Sequence, residues 1–176
     1  MSVFLAIDLD DAAREVATAL IETHRGKVEA KWLRPDKLHL TLVFLGNATA
    51  DQIATFVPKI DALAERRPAF SLRLSGAGTF TTARAPSVLW LGVSGELDAL
   101  AALQHDALGA LTQHDDRPWV PHVTLARAKQ SFDALAQSLA DLRSEAFVVR
   151  HLTLYESTHH HYRVLHRAPF TPARAT

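Results

Sequence analysis

LHLTLVFLG at Leu38–Gly46 and PHVTLARAK at Pro121–Lys129 are two short, β-rich stretches that carry the same pattern, a histidine and a threonine two residues apart among Leu, Val and Ala. Successive side chains of a strand point to opposite faces, so His39 projects with Thr41 and His122 with Thr124, while the apolar residues between them face a core. Each stretch follows a proline-containing segment and is followed by a sequence of helical spacing, which suggests two similar lobes. Two lobes that face each other bring two imidazoles and two hydroxyls around one cleft.

That set of groups suits in-line attack of water on a cyclic phosphate. One imidazole takes the proton of the water while the other protonates the departing ribose oxygen, and neither step needs a protein nucleophile. The hydroxyls of Thr41 and Thr124 can donate to the non-bridging phosphate oxygens as the phosphorus becomes five-coordinate, so no metal is required. Histidine fits because its reference pKa of about 6.5 leaves both protonation states accessible near neutrality. One isolated His-x-Thr is usually an ordinary strand pair; two copies in matching contexts are not expected by that account.

Outward from these stretches the chain alternates strands and helices. Val3–Leu9 reads as a buried strand, and Asp10 or Asp11 can cap a helix through about Arg25. Asp51 to about Arg66 is a second helix, and Phe70–Phe80 and Ser87–Val93 are neighbouring strands, with Gly76 and Gly78 marking a bend or bulge. Glu96 to about Gln113 is an Ala- and Leu-rich helix, Val120–Ala126 a strand, Phe132–Leu142 a helix, and Phe147–Glu156 and Tyr162–His166 two strands around a polar turn. The sum is an α+β protein, expected to form a single domain over residues 1–176.

With 48% apolar residues the chain can bury a sizeable core, and the absence of Cys removes disulfides, thiolate nucleophiles and thiolate metal sites. The apolar runs are too short to span a bilayer and the N-terminal stretch lacks the sections of a signal peptide, so a soluble cytoplasmic protein is expected. The formal net charge is zero, yet Arg117 onward carries eight Lys or Arg against four Asp or Glu, which favours a local anion site. The run His159–His161 reads as a solvated turn rather than a metal site, because neighbours in an extended turn point apart. Trp32, Trp90 and Tyr155 read as core aromatics with a hydrogen-bonded edge.

The two stretches, together with FLAIDL at Phe4–Leu9, KWLRPDK at Lys31–Lys37, VLWLGV at Val88–Val93 and LTLYES at Leu152–Ser157, resemble the 2H phosphoesterase superfamily, in its bacterial RNA 2′,3′-cyclic phosphodiesterase branch, also called 2′-5′ RNA ligase. The resemblance implies a bilobal fold with two antiparallel sheets flanked by helices, and a central cleft in which each lobe presents one His-x-Thr. It implies hydrolysis of an RNA or nucleotide 2′,3′-cyclic phosphate to a 2′-phosphate, with His39 as proton donor and His122 as proton acceptor, roles that can be exchanged. It also places Phe4 and Arg127 where similar proteins sandwich the nucleobase, although strict alternation puts Arg127 on the opposite face from His122 unless the strand ends or bends near Ala126. No cofactor, metal or membrane is expected, the partners are RNA ends or nucleotides bearing the cyclic phosphate, and a monomer is the default. Ligation to a 5′-hydroxyl at the same site, or a non-catalytic RNA-end or nucleotide binder, are the alternatives; intact copies of both stretches argue against the binder.

Overall fold

Why the two His-x-Thr stretches meet is decided by a sheet. The computed structural model describes residues 1–82, 85–112, 118–158 and 160–172. In chain order the elements are β1 (Ser2–Asp8), α1 (Asp11–Arg25), β2 (Lys31–Trp32), a single 3-10 turn (Pro35–Lys37), β3 (His39–Asn47), α2 (Ala50–Glu65), β4 (Phe70–Thr82), β5 (Ala85–Gly95), α3 (Leu97–Leu111), β6 (Val123–Ala128), α4 (Asp133–Ser138), β7 (Phe147–Val149), β8 (His151–Ser157) and β9 (Tyr162–Pro169). The named strands pair antiparallel in the order β7-β4-β5-β6-β3-β1-β8-β9, with β2 added to β6.

Two halves are visible in this order. One holds β3, β1, β8 and β9; the other holds β6, β5, β4 and β7. They meet at one registered pair, Leu40 with Val123, each fully buried. These are the middle residues of the two His-x-Thr units. Antiparallel extension of that register sets His39 beside Thr124 and Thr41 beside His122, so the pseudo-twofold relation of the lobes runs through this pair. The α+β, bilobal, antiparallel architecture expected from the sequence is present, with the two sheets continuous through this contact.

The helices form for local reasons and then pack by their apolar stripes. Asp10 caps α1 by accepting from the Ala13 amide at 2.8 Å, and Ala13, Ala17 and Ile21 bury one face. Thr49 and Gln52 form a reciprocal capping box at the start of α2, which buries Ile60, Leu63 and Ala64. α3 buries Leu100, Leu103, Ala107 and Leu111; the expected final residue of that helix, Gln113, lies outside the described residues.

Three elements differ from the sequence expectation. The run Phe147–Glu156, read as one strand, is two: β7 pairs with β4, the chain turns at Arg150, and β8 pairs with β1 in the other half. The Arg150 carbonyl accepts from the Phe170 amide at 2.8 Å, which holds the turn. Apolar alternation continues unbroken across it because both pieces bury the same kind of side chain. The helix expected over Phe132–Leu142 stops at Ser138, since the chain beyond it is drawn to β4: the Gly76 amide donates to the Leu142 carbonyl at 2.9 Å and the Leu74 amide to Ser144 Oγ at 2.9 Å. The strand expected from Val120 begins at Val123, because the segment before it carries Pro118 and Pro121, which lack an amide donor.

Bulges recur where the strands turn toward the cleft. The β1–β3 register skips Leu42 and again Leu45, and the β5–β6 register skips Leu125. The skipped Leu42 and Leu125 each follow the motif threonine, and each is buried together with its successor, Val43 or Ala126. Alternation is thereby reset by one residue, and Phe44 and Arg127 emerge on the same side as the histidines. At Gly76 (φ 64°) β4 bulges against β5, as the glycines suggested, and the Trp90 indole lies so close to Gly78 that an added Cβ would meet it at 2.3 Å.

Leu40→Ala removes a fully buried side chain at the junction of the halves. Urea denaturation is expected to show a loss of about 2–5 kcal/mol, the usual cost of such a cavity; a loss below about 1 kcal/mol would mean that the junction contributes little to holding the halves together.

Candidate functional site

A cavity of about 520 Å³ opens over the junction and is lined by Phe4, His39, Thr41, Phe44, His122, Thr124, Arg127 and Tyr162, with Lys31, Trp32, Arg34, Lys37 and His160 on its rim. A second large hollow, about 580 Å³, lies beside Arg67, His105 and Asp106 of α2, α3 and their flanks, away from both motifs. No such convergence of imidazole and hydroxyl occurs there.

Both motif histidines are fixed by the same device. His39 Nδ1–H donates to the Lys37 carbonyl at 2.7 Å and His122 Nδ1–H to the Val120 carbonyl at 2.7 Å. A carbonyl can only accept, so Nδ1 carries the proton in both rings and Nε2 is the free, basic nitrogen. In each case the acceptor lies two residues upstream, just before the strand pairing begins. Nε2 of His39 meets Thr41 Oγ at 2.9 Å, the hydroxyl donating to the ring. Trp119 Nε1 donates to the Thr41 carbonyl at 3.3 Å and ties the segment leading to His122 onto β3.

Aromatic rings surround each imidazole. Phe4 lies 4.8 Å from the His39 ring centroid and Tyr162 5.3 Å, while Phe80 stands edge-on to His122 at 4.9 Å. Burial accordingly lowers both pKa values: His39 is held down to about 4, against the upward pull of its Lys37 hydrogen bond and the Asp8 charge. His122 is lowered in the same way, and the Arg127 guanidinium pushes it further down.

Asp8 is the functional candidate that sequence reading missed. Its carboxylate accepts from Thr153 Oγ1 at 2.8 Å, Tyr155 Oη at 2.5 Å and His151 Nε2 at 3.0 Å, with Arg167 at 3.4 Å. Burial raises its pKa, but the bonds from His151, Tyr155 and Thr153 outweigh that and hold it at about 2. Asp8 pairs with His39 across β1 and β3, and its partner Tyr155 stacks on Phe4 at 5.4 Å, so a carboxylate, a phenol and a phenyl ring back the His39 imidazole. The one signal in the sequence was a carboxylate closing an apolar strand.

The sequence-predicted residues divide as follows. His39, Thr41, His122, Thr124 and Arg127 come together in the cavity. Arg127 gets there by the Leu125 bulge, which supplies the bend that strict alternation lacked. Phe4 lines the cavity but is only 3% exposed, covered edge-on by Tyr162 at 5.0 Å; the freely exposed aromatic is Phe44, at 69%. Trp32 lines the rim and donates to the Val28 carbonyl, Tyr155 anchors on Asp8, and Trp90 packs over Gly78. His160 reaches the cavity; His159 lies outside the described residues. Among the described residues, the cavity lining includes Lys31, Arg34, Lys37 and Arg127 and no Asp or Glu, so a chain of zero net charge concentrates positive potential at this cleft.

Among the described residues, no group of three or more His, Asp or Glu is gathered as a metal site, and no helix is long and apolar enough to cross a membrane. The depressed pKa of His39 has a consequence for stability. Unfolded, its imidazole titrates near 6.5; folded, near 4, so the unfolded chain binds this proton first. The stability due to neutral His39 is complete above 6.5 and is lost as pH falls through that window toward 4. Denaturation of His39→Gln as a function of pH is expected to show a slope between pH 6.5 and 4 that is shallower than wild type by up to about one proton; parallel curves would contradict the burial argument.

The model of the 2′-5′ RNA ligase superfamily matches residues 8–161 of the chain. An RNA 2′,3′-cyclic phosphodiesterase of Archaeoglobus fulgidus is 30% identical over 149 residues, 84% of either chain, and one of Escherichia coli is 33% identical over 131 residues, 70% of either chain. Among solved structures, TT0787 of Thermus thermophilus superposes with a TM-score of 0.76 at 26% identity, covering 98% of this chain and 99% of that one. Escherichia coli LigT complexed with 3′-AMP superposes with a TM-score of 0.72 at 27% identity, over 97% of this chain and 98% of that one. By sequence and by fold, this chain belongs to the 2′-5′ RNA ligase superfamily.

Proposed function

We propose that the protein hydrolyses the 2′,3′-cyclic phosphate of RNA ends or nucleotides to a 2′-phosphate, using His39 and His122 as proton donor and acceptor. The observation that carries this reading is the twofold repetition at the Leu40–Val123 pair: two imidazoles, each with the Nδ1 proton given to a carbonyl and Nε2 left unprotonated, together with two threonine hydroxyls, one of them already donating to His39 Nε2, in one positively lined cleft. The names of the relatives in the superfamily support it.

In the reaction His122 Nε2 takes a proton from water, the water oxygen bonds to phosphorus, and the P–O3′ bond breaks as His39 Nε2–H protonates O3′. Thr41 and Thr124 donate to the non-bridging oxygens, where charge builds in the five-coordinate state. Thr41 is held in the free protein by His39 and is released to the phosphate once that ring carries a proton. The anionic phosphate itself supplies the reason for the proton: a negative charge beside a buried imidazole raises its pKa. His39, neutral in the empty cleft at pH 7, becomes the acid when substrate binds. These groups cover both proton transfers and the charge stabilisation, so the mechanism uses no metal.

The base of the reacting nucleotide lies against the Arg127 guanidinium, with Tyr162 and the edge of Phe4 behind it forming the opposed aromatic surface. A planar cation and rings accept any base, so weak base selectivity follows.

Turnover of a nucleoside 2′,3′-cyclic phosphate in the presence of chelator, with the product assigned by phosphorus NMR, is expected to give the 2′-phosphate. His39→Ala and His122→Ala are each expected to lower kcat by about 10²- to 10⁴-fold; near-normal turnover in either variant would sink the two-histidine mechanism. The kcat/KM profile reports the free protein and is expected to be a bell centred below 6.5, whereas the kcat bell lies at higher pH because bound phosphate raises both imidazoles. Arg127→Ala is expected to raise KM about tenfold with kcat changed far less; an equal loss in kcat would place Arg127 in the chemistry instead.

A further inference from the structure

The pseudo-twofold relation of the two lobes breaks at one position beside the histidines. At the Leu40–Val123 junction, Ile7 of β1 pairs with Leu40 and Leu91 of β5 pairs with Val123. One step further Asp8 pairs with His39, and the same antiparallel register carried on from Leu91 and Val123 sets Gly92 beside His122. Directly opposed residues of an antiparallel pair share a face, with Cβ atoms about 4.5–5.5 Å apart. His39 therefore has a carboxylate for a neighbour where His122 has no side chain. Nor is there room for one, since a Cβ at Gly92 would meet the Ser75 carbonyl oxygen at 2.6 Å.

The Asp8 carboxylate is held in place and kept ionised. Its side chain is 14% exposed and accepts from His151, Thr153, Tyr155 and Arg167, all on β8 and β9, on the side of β1 away from β3. The ring nitrogens of His39 are engaged elsewhere, with the Lys37 carbonyl and Thr41. Asp8 thus acts on His39 through space, by its charge. The charged and titratable groups around His39 are Asp8 of β1, Arg14 of α1, Lys37 of the 3-10 turn, Tyr155 of β8, Tyr162 of β9 and His122 across the cleft. Asp8 is the one anion in that set. The charge that acts on His122 is the Arg127 guanidinium, of opposite sign.

We propose that Asp8 is a positioning residue whose charge favours the proton on His39 over the proton on His122, and so decides which lobe protonates O3′. The proposal rests on the reading of the cleft given above. The two His-x-Thr units offer the same groups, so without an asymmetric charge either imidazole serves equally as acid. Bound phosphate lies between the rings and stabilises both imidazolium forms; Asp8 stabilises one.

Asp8→Asn keeps the size of the side chain and removes its charge. Far to the acid side of the kcat bell the rate follows the base alone, and far to the alkaline side the acid alone. On a nucleoside 2′,3′-cyclic phosphate the kcat ratio of Asp8→Asn to wild type is expected to be flat on the acid side and to fall about tenfold toward the alkaline side. Arg167→Gln removes the half-exposed cation beside Asp8 and is expected to move the same limb the other way, by about twofold. A histidine NMR titration with inorganic phosphate present is expected to show His39 lowered in Asp8→Asn, raised in Arg167→Gln, and His122 unmoved in both. A kcat ratio independent of pH in both variants, or equal movement of both histidines, would reduce Asp8 to a structural role and overturn the proposal. An Asp8→Asn protein faster than wild type on the acid side would make His39 the base and overturn it too. If Asp8→Asn does not fold, Arg167→Gln decides alone by the same two readouts. Absence of wild-type turnover would instead overturn the hydrolase reading, with the titration still deciding the role of Asp8.

Discussion

One pairing contact between two strands, Leu40 with Val123, holds the site together. Each is the residue between a histidine and a threonine, so the same backbone bonding that joins the halves of the sheet also fixes the distance and relative orientation of four polar side chains. The apolar side chains of the pair are fully buried, which is a strong constraint: a one-residue slip would move both histidines into the core and both leucine-rich faces into water. Register is therefore enforced by hydrophobic burial, and the arrangement of the two histidines and two threonines follows from that enforcement at no separate cost.

Around this contact, backbone irregularity supplies what regular strands do not. A strand offers the cleft every second residue, but the bulges at Leu42 and Leu125 place two successive residues inward and then return the chain to the opposite phase. The rings of His39 and His122 are held by carbonyls that sit just outside the regular pairing, where a carbonyl is free to accept from a side chain. Asp8 works from behind with a set of four donors, and the aromatic stack between it and His39 keeps water from an imidazole whose pKa burial lowers to about 4.

Much of this was legible in the sequence because it is periodic. The strands around both motifs, the capped start of α1, the apolar stripes of α1, α2 and α3 and the face shared by His39 and Thr41 follow directly from spacing. What was not legible depends on partners. The division of Phe147–Ser157 at Arg150 leaves no trace in the apolar pattern, since burial is similar against β4 and against β1. Alternation alone put Arg127 on the opposite face from His122, yet it lines the cavity, the bulge at Leu125 being a property of two strands rather than one. Phe4 has the composition of a stacking platform but its ring is already occupied by Tyr155, Tyr162 and His39. Asp8 looked like a strand terminus because its donors come from β8 and β9, more than a hundred residues away in the chain.

The turn at Arg150 also sets an order of assembly. The half that bears His39 draws β1 and β3 from residues before 48 and β8 and β9 from residues after 150, whereas the half that bears His122, apart from the short β2, draws its strands from the residues between. During synthesis β1 emerges early but keeps one bare edge until β8 leaves the ribosome, at a chain growth of roughly 5–20 residues per second. The first motif waits on a pairing between strands about 150 residues apart, the most non-local among the described strands. An unfinished chain thus lacks the wall of Asp8 donors behind His39, and it exposes an apolar strand edge of the kind that pairs with strangers.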